Sequence, residues 1–488
     1  MIILKYLHLA IDLGASGGKV MAGNIQNDKL ILSEVNRFSN SPVEINGISY
    51  WNILNLYNHI IDSIQIAQKN DQKILSLGID SWGVDFGLLN ENGYLINNPI
   101  HYRNMFKTNT MQEAIEKAGK KWIYEHSPTQ FQPFNTLYQI LAYQKYAPDF
   151  VKISKDLLMI PSLLNYFLTG KKAIDFTMAT TTQIYNHRKR KWDDEIMKKF
   201  DIPDILPEIV PAGTKIGKIK IDVLNNNSNI DVILPASHDT GSAYSAIASD
   251  PSDTMFISLG TWCLTGAIVN EVPYNEELME NNLAAEGCLD GSFRILANVT
   301  GMWLIQGIIK SLNLPDNSDT YQKITEMAQN AKPFSSYINV DDPSLQNPQD
   351  MIQAIIQQSI KDNDTVLNET SQVIRTALEG IAFKVNEVKE KLSKILEIEF
   401  KRIHVVGGGT RNKLLCQFIA DATGLTVLTG PIEGTAVGNL VSQLYALELV
   451  KNFEEARDLI KRSFEFQCFE PKEHNIWKEA FISFQKKK

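Results

Sequence analysis

The chain has 488 residues, 44% hydrophobic and 21% charged, a composition that excludes disorder, collagen-like repeats and a pure coiled coil. Forty-eight Lys and Arg against 56 Asp and Glu leave a net charge of −8, which argues against nucleic acid or an anionic membrane as a partner. The four cysteines stand alone in sequence, so neither a zinc site nor a disulfide framework is expected, and reduced thiols point to the cytoplasm.

Residues 2–13 form an apolar, strand-like run ending in Asp12-Leu13-Gly14, with Lys19–Ile25 as the returning strand. Lys5 and His8 interrupt the run, so no signal peptide is expected. Trp51–Ala67 carries Leu54, Tyr57, Ile60, Ile61 and Ile64 at helical spacing. Ile74–Asp80 and Val84–Leu89 read as strands, Leu157–Leu168 as a buried helix, and Ile230–Leu234 as a short strand. The basic run His187–Lys191 and the terminal lysines read as solvated surface. Thr240–Ala248 suits a helix, and turn formers crowd Ser249–Asp253. A domain border placed there gives 1–248 and 249–488, with a helical tail from about 450.

The second half repeats the order. Met255–Ser258 is strand-like, Leu259-Gly260-Thr261 a turn, and Trp262–Val269 a returning strand. The uncharged stretch Thr254–Asn270 is too short for a membrane helix, which needs ~20 residues. Met351–Ile360 suits a surface helix, Gln372–Leu396 a long amphipathic one, and Lys413–Ala422 another. Ile403–Val406 is a strand running into Gly407-Gly408-Gly409. Ile11–Val20 lines up with Ile257–Gly266, half a chain later. Alternating strands and helices, repeated in this way, predict a duplicated α/β domain with a cleft between the copies.

Five segments carry candidate chemistry. Gly14, Gly17 and Gly18 leave backbone N–H groups uncovered, so the first turn suits either phosphate oxygens or an ordinary hairpin. Asp12, at the strand end, could hold Mg2+ through water. Thr261 in the partner turn could donate its hydroxyl to a phosphate, or serve only as a β-former. In Ser237-His238-Asp239-Thr240, Asp239 reads as a general base or as a helix N-cap, and His238 as a polar contact or a packed histidine. Gly83, between two strands, would admit a small polar ligand to the backbone, with Trp82 and Asp85 as core anchor and turn cap. Gly407–Gly409, with Asn412 in the next helix, allow close approach of a flat ligand such as a nucleoside. Gly408, Gly409 and Asn412 are the candidate contacts.

Seven stretches then carry a resemblance: DLGASGGKVM (12–21), GIDSWGVDFGLL (78–89), FNTLYQ (134–139), ASHDTGSA (236–243), ISLGTWCLTG (257–266), EGCLDGSFRILANVTGMWLIQ (286–306) and VVGGGTRNKLLCQFIADATGLTVLTGP (405–431). From about residue 7 to 470 the chain resembles the FGGY carbohydrate kinases, and most of all their L-rhamnulose-phosphorylating members. The resemblance implies two duplicated actin-like (ribonuclease H-like) domains around a central cleft, with Mg2+ as cofactor and ATP as co-substrate, in a monomer or homodimer. It puts Ala15, Ser16, Gly17, Gly18 and Lys19 in a first phosphate loop, Thr261 in a second, and Gln306 and Gly409 on ATP. Asp239 matches the catalytic base, and Gly83, His238, Thr240 and Asn298 match sugar-contacting positions. The implied reaction converts ATP and L-rhamnulose into ADP and L-rhamnulose 1-phosphate, in rhamnose catabolism. L-fuculose or a pentulose is the alternative substrate, and a silent sugar sensor or chaperone-like ATPase the alternative class. Two departures stand out. Lys19 replaces the loop's usual Arg, keeping the charge without the bidentate fork. The family's Tyr-Arg-Asp-x-Arg-Thr segment becomes Tyr102-Arg103-Asn104-Met105-Phe106-Lys107-Thr108, in which an acid is lost and the second Arg is displaced or replaced.

Overall fold

Tyr6–Leu13 has Leu7, Leu9, Ala10, Ile11 and Leu13 almost wholly buried, so the strand is covered on both faces. A strand buried on both faces sits inside a sheet, with parallel neighbours covered by helices. The computed structural model describes residues 6–69, 72–104, 109–220 and 229–487. Contacts divide the chain into two compact units that are discontinuous in sequence. The first comprises Met1–Ala248, Val269–Ile295 and Gly434–Ser463, the second Ser249–Ile268, Leu296–Glu433 and Phe464–Lys488. A single cut at 248/249 is therefore coarser than the division the contacts make.

The first unit is built on a six-stranded sheet. Its order is Thr214–Lys218, Asp231–Leu234, Lys73–Ser81, Tyr6–Leu13, Gly17–Gln26, Lys29–Ser39. Tyr6–Leu13 pairs antiparallel with Gly17–Gln26 and parallel with Lys73–Ser81, which pairs parallel with Asp231–Leu234. Helix Ile53–Ala67 turns Leu56, Ile60 and Ile64 into the core, and the Asn52 side chain caps it by accepting from the N–H of Asn55.

One expectation changes here. Leu157–Leu168 is not a single helix. Asp156–Met159 is a strand antiparallel to Phe86–Leu89, and the helix is Ile160–Thr169. An unbroken apolar run has no period to separate strand from helix. Pro161 marks the real start, because the first helical turn needs no N–H there.

The second unit repeats the strand order. Trp262–Val269 pairs antiparallel with Thr254–Leu259, which pairs parallel with Arg402–Val406, then parallel Thr426–Thr429, then antiparallel Gln467–Phe469. The duplication read from the sequence is thus a duplication of sheet topology. Helix Thr370–Leu396 begins with a capping box between Glu369 and Gln372. The expected helical tail consists of Phe453–Ser463 and His474–Lys486, but with the strand Gln467–Phe469 between them. Trp477 and Phe484 anchor the last helix on Phe383 at ring distances of 5.2 and 5.3 Å.

Candidate active site

In the first unit, Ala15 and Ser16 are exposed at the tip of the glycine turn. The turn is closed by Gly14 N–H donating to the Gly17 carbonyl at 2.8 Å. Asn40 grips it from beside: its backbone N–H donates to Ser16 O at 3.1 Å and its Nδ2 to Gly14 O at 3.0 Å. A Cβ on Gly17 would lie 2.8 Å from Phe38 O, and one on Gly18 2.3 Å from the Phe38 ring. Gly17 is therefore required by the adjacent strand's backbone, whereas a side chain at Gly18 would have to displace the Phe38 ring. Lys19 faces Arg37 in register, and Arg37 is paired with Glu34 at 2.7 Å.

Asp12 and Asp80 are register partners on adjacent parallel strands. Asp80 is fully buried; its Oδ2 accepts from Asn439 Nδ2 at 2.5 Å, while its Oδ1 has no hydrogen-bond partner among the described residues. Burial, then the like charge of Asp12, push the Asp80 carboxyl well above the usual range, and Asp239 adds to the effect. Asn439 is itself held through Gln443 and Ser76, which bonds His8 Nδ1 at 2.7 Å. Burial holds His8 down at about 4, so the ring is neutral. Crowded carboxylates with an orphaned oxygen suit a hard cation. No three His, Cys, Asp or Glu among the described residues converge as a metal-ligand group.

Asp239 opens the helix Asp239–Ser245. It does not cap it: His238 stands at the N-cap position, and Asp239 Oδ1 accepts from Thr240 N–H at 2.6 Å and Thr240 Oγ1 at 3.1 Å. The Asp239 side chain stays 32% exposed. Burial raises its carboxyl from the ordinary value, opposed by His238, Thr240 and Arg294. His238 Nε2 lies 3.5 Å from Asp239 Oδ1. On the ring's other side are two residues the sequence reading passed over. Arg294 Nη2 lies 2.7 Å from His238 Nδ1 and donates to Glu286 Oε2 at 2.6 Å. The signal was present: each is a lone charge in an apolar strand, in AAEG (284–287) and FRIL (293–296).

Gly83 is buried against Thr181, whose Oγ1 would lie 3.0 Å from an added Cβ. Asp85 anchors this loop, accepting from Trp51 Nε1 at 2.5 Å, Trp82 Nε1 at 3.0 Å and Gln139 Nε2 at 2.9 Å. Thr136 Oγ1 donates to Val84 O at 2.8 Å, so the FNTLYQ segment fastens the WGVDF loop. Met105, Phe106, Lys107 and Thr108 lie outside the described residues, as does the Asn104 side chain. In the basic run Arg188, Lys189, Arg190 and Lys191 are exposed as expected, whereas His187 is buried with its Nε2 2.7 Å from Ala285 O. Arg188 lies over the Tyr274 ring at 3.7 Å, Arg190 donates to Gly291 O at 2.9 Å, and Lys189 and Lys191 pair with Glu195 and Asp194.

In the second unit, Thr261 is exposed at its turn. Met302 N–H donates to Gly260 O at 2.9 Å, and Gly301 and Trp303 N–H both donate to Thr261 O at 3.1 Å. A Cβ on Gly301 would lie 2.7 Å from the Trp262 carbonyl carbon. Gly407 and Gly409 pack on Leu259, with added Cβ atoms at 2.8 and 2.4 Å, whereas Gly408 faces open space. Asn412 caps helix Lys413–Thr423, its Oδ1 accepting from Leu415 N–H at 3.0 Å. Gln306 lies in helix Trp303–Ser311 and Asn298 in strand Phe293–Thr300, both partly exposed. The candidate sugar contacts thus divide: Gly83, His238, Asp239 and Thr240 belong to the first unit and Asn298 to the second.

Models of the FGGY family of carbohydrate kinases match residues 7–244 (N-terminal domain) and 255–447 (C-terminal domain). The chain belongs to this family. It is 35% identical to a rhamnulokinase of Oceanobacillus iheyensis, over 96% of this chain and 98% of the relative. It is 36% identical to a rhamnulokinase of Halalkalibacterium halodurans, over 94% and 98%. A gluconate kinase structure from Lactobacillus acidophilus superposes with TM-score 0.83 at 19% identity, covering 99% of this chain and 97% of that one. The FGGY kinase fold, a mixed α/β actin-like plan, is therefore the fold of this chain. No helix among the described residues is long and apolar enough to cross a membrane.

Proposed function

We propose that the chain transfers the γ-phosphate of ATP to the C1 hydroxyl of L-rhamnulose, giving L-rhamnulose 1-phosphate and ADP in rhamnose catabolism. The observation that carries this reading is near-full-length similarity to proteins named rhamnulokinase. The first domain, 1–248, would supply sugar contacts and the first phosphate loop; the second, 249–488, would supply Thr261, Gln306, Gly408, Gly409 and Asn412 for ATP. Asp239 takes the proton of the C1 hydroxyl as its oxygen attacks phosphorus and the bond to ADP breaks. Its partly exposed carboxylate, with one oxygen engaged by Thr240, supports that role. Gly83, His238, Thr240 and Asn298 orient the sugar. The glycine turn of Ala15, Ser16, Gly17, Gly18 and Lys19 offers N–H groups and one cation to phosphate oxygens. Asp12, with Asp80 beside it, would hold Mg2+ through water. Bound there, the ion supplies charge neutralisation for the phosphates.

The test is ADP release with ATP, Mg2+ and a panel of ketoses. L-Rhamnulose is expected to give the highest kcat/KM; a clear preference for L-fuculose or a pentulose would replace the substrate, a substitution that the altered 102–108 segment makes worth testing. Asp239→Asn is expected to lower sugar-dependent turnover by ~10²–10⁴-fold. Near-normal turnover in that variant would remove Asp239 from the role of base.

A further inference from the structure

Arg294 is wholly buried, and its charge is met by Glu286, whose carboxyl is itself buried in the first unit. Opposite charges lower each other's cost of burial, but a hydrophobic pair of the same shape is often as stable. Stability alone therefore does not account for this pair. Its geometry supplies a second use. One guanidinium nitrogen, Nη2, carries two hydrogens. One goes to Glu286 Oε2 at 2.6 Å and the other to His238 Nδ1 at 2.7 Å. Nη1 donates to the Gly287 carbonyl, which fixes the plane of the fork.

A guanidinium has donors only, so the Nδ1 it bonds must present a lone pair. The remaining ring proton then sits on Nε2, the nitrogen on the Asp239 side. Glu286 Oε2 is also near Nδ1, at 3.2 Å, and would accept a proton there if the ring carried one. The shorter approach belongs to Arg294. Glu286 is held down at about 2, Arg294 and then His238 outweighing its burial, which keeps it anionic and paired with the guanidinium.

We propose that Arg294, held in place by Glu286, is a positioning residue that fixes His238 as the Nε2–H tautomer, so that the ring presents a hydrogen-bond donor beside Asp239. This rests on the reading of Asp239 and His238 as the proton-accepting and sugar-contacting residues. The donor has a defined use with a ketose. The oxygen on C2 neighbours the C1 hydroxyl and is an acceptor in both the keto and ring forms. Nε2–H can hold it while Asp239 faces the hydroxyl. The opposite tautomer would present a lone pair there, which repels the keto oxygen and can only accept from the hydroxyl of the ring form.

The experiment reads the tautomer directly, in the full chain, independently of turnover. Protein labelled with 15N only at histidine is measured at neutral pH, and the His238 signals are assigned by their loss in His238→Gln. The expected result is an unprotonated Nδ1 and a protonated Nε2. A proton on Nδ1 in the unaltered protein would overturn the proposal. The double variant Glu286→Leu/Arg294→Met removes both buried charges together. Its His238 is expected to exchange between tautomers, with kcat on the sugar lowered by about 10–100-fold, as for other groups that orient a functional histidine, and KM for ATP little changed. Glu286→Gln, which leaves Arg294 present, is expected to keep the Nε2–H tautomer. A folded double variant that keeps that tautomer and its kcat would overturn the proposal. Failure of the unaltered enzyme to phosphorylate any ketose would count against the kinase reading alone, because the tautomer is measured without turnover.

Discussion

In the first sheet, the register pair at the end of the two central strands is Asp12 and Asp80; in the second sheet the same topological position holds Ser258 and Val406. Asp239 acts electrostatically on Asp80, and beside Asp239 the first unit gathers His238, Arg294 and Glu286. The second unit builds its corresponding turns from backbone. Gly301, Gly407 and Gly409 allow chain segments to approach to distances no side chain would permit. Two copies of one strand order therefore carry different chemistry. Topology sets where the loops emerge, and the residues at a few strand ends set what surrounds them, carboxylates in the first unit and closely approaching backbone in the second.

The largest way to break this contrast is to give the first sheet the second sheet's residue. Asp12→Ser is expected to raise the Mg2+ concentration for half-maximal activity by about tenfold or more, equivalent to at least ~1.4 kcal/mol, measured by Mg2+ titration of ADP release. The same response in Thr261→Ala would show that the two turns are not specialised.

Next is packing. Gly438 crosses the helix Asp239–Ser245 so closely that an added Cβ would lie 1.7 Å from Ser242 O. Gly438→Ala is expected to destabilise the protein by about 1–3 kcal/mol or more, read from urea unfolding. Gly301→Ala, at 2.7 Å from backbone, should cost a comparable amount, whereas Gly408→Ala should change stability by less than ~0.5 kcal/mol. Any loss of nucleotide affinity in Gly408→Ala then reports ligand contact rather than folding.

Buried titrating groups separate by sign. Burial holds His404, bonded to Ser249 Oγ and Gly430 O, down at about 4. A depressed histidine contributes stability that is present above its ordinary pKa near 6.5 and lost as pH falls towards 4, at most ~1.4 kcal/mol per pH unit. His404→Gln should flatten that acid slope. Asp85 behaves oppositely: burial pushes it up to about 7, so its contribution is present below about 4 and lost as pH rises through 7. Asp85→Asn should flatten the stability change in that window. Urea midpoints across pH 4–8 read both. The smallest effect is expected for Lys19→Arg, a change in KM for ATP of less than about tenfold, because charge is kept and only the fork is added.

Much of the fold was legible because its signals are local. The strand-turn-strand at Ile11–Val20 and its echo at Ile257–Gly266 need only short-range pattern and glycine. The Leu157–Leu168 run misled because an unbroken apolar segment fits strand and helix alike; the partner strand Phe86–Leu89 decided it. Asp239 stood out beside His238, but whether it capped its helix or faced outward depended on where Thr240 and the ring placed their donors.

By itself the amino-acid sequence determined the duplicated α/β order, the glycine turns and the segments shared with FGGY kinases, since each is written in contiguous residues. Tertiary structure alone decided which residues meet across long stretches of chain. It put Asp12 beside Asp80, locked Asn439 onto Asp80, and brought Glu286 and Arg294 to the ring of His238. Strand register brings the two like-charged carboxylates together, and the other two encounters share a reason. A buried charge must find its partner wherever the packed core brings one within reach, and sequence spacing carries no record of that encounter.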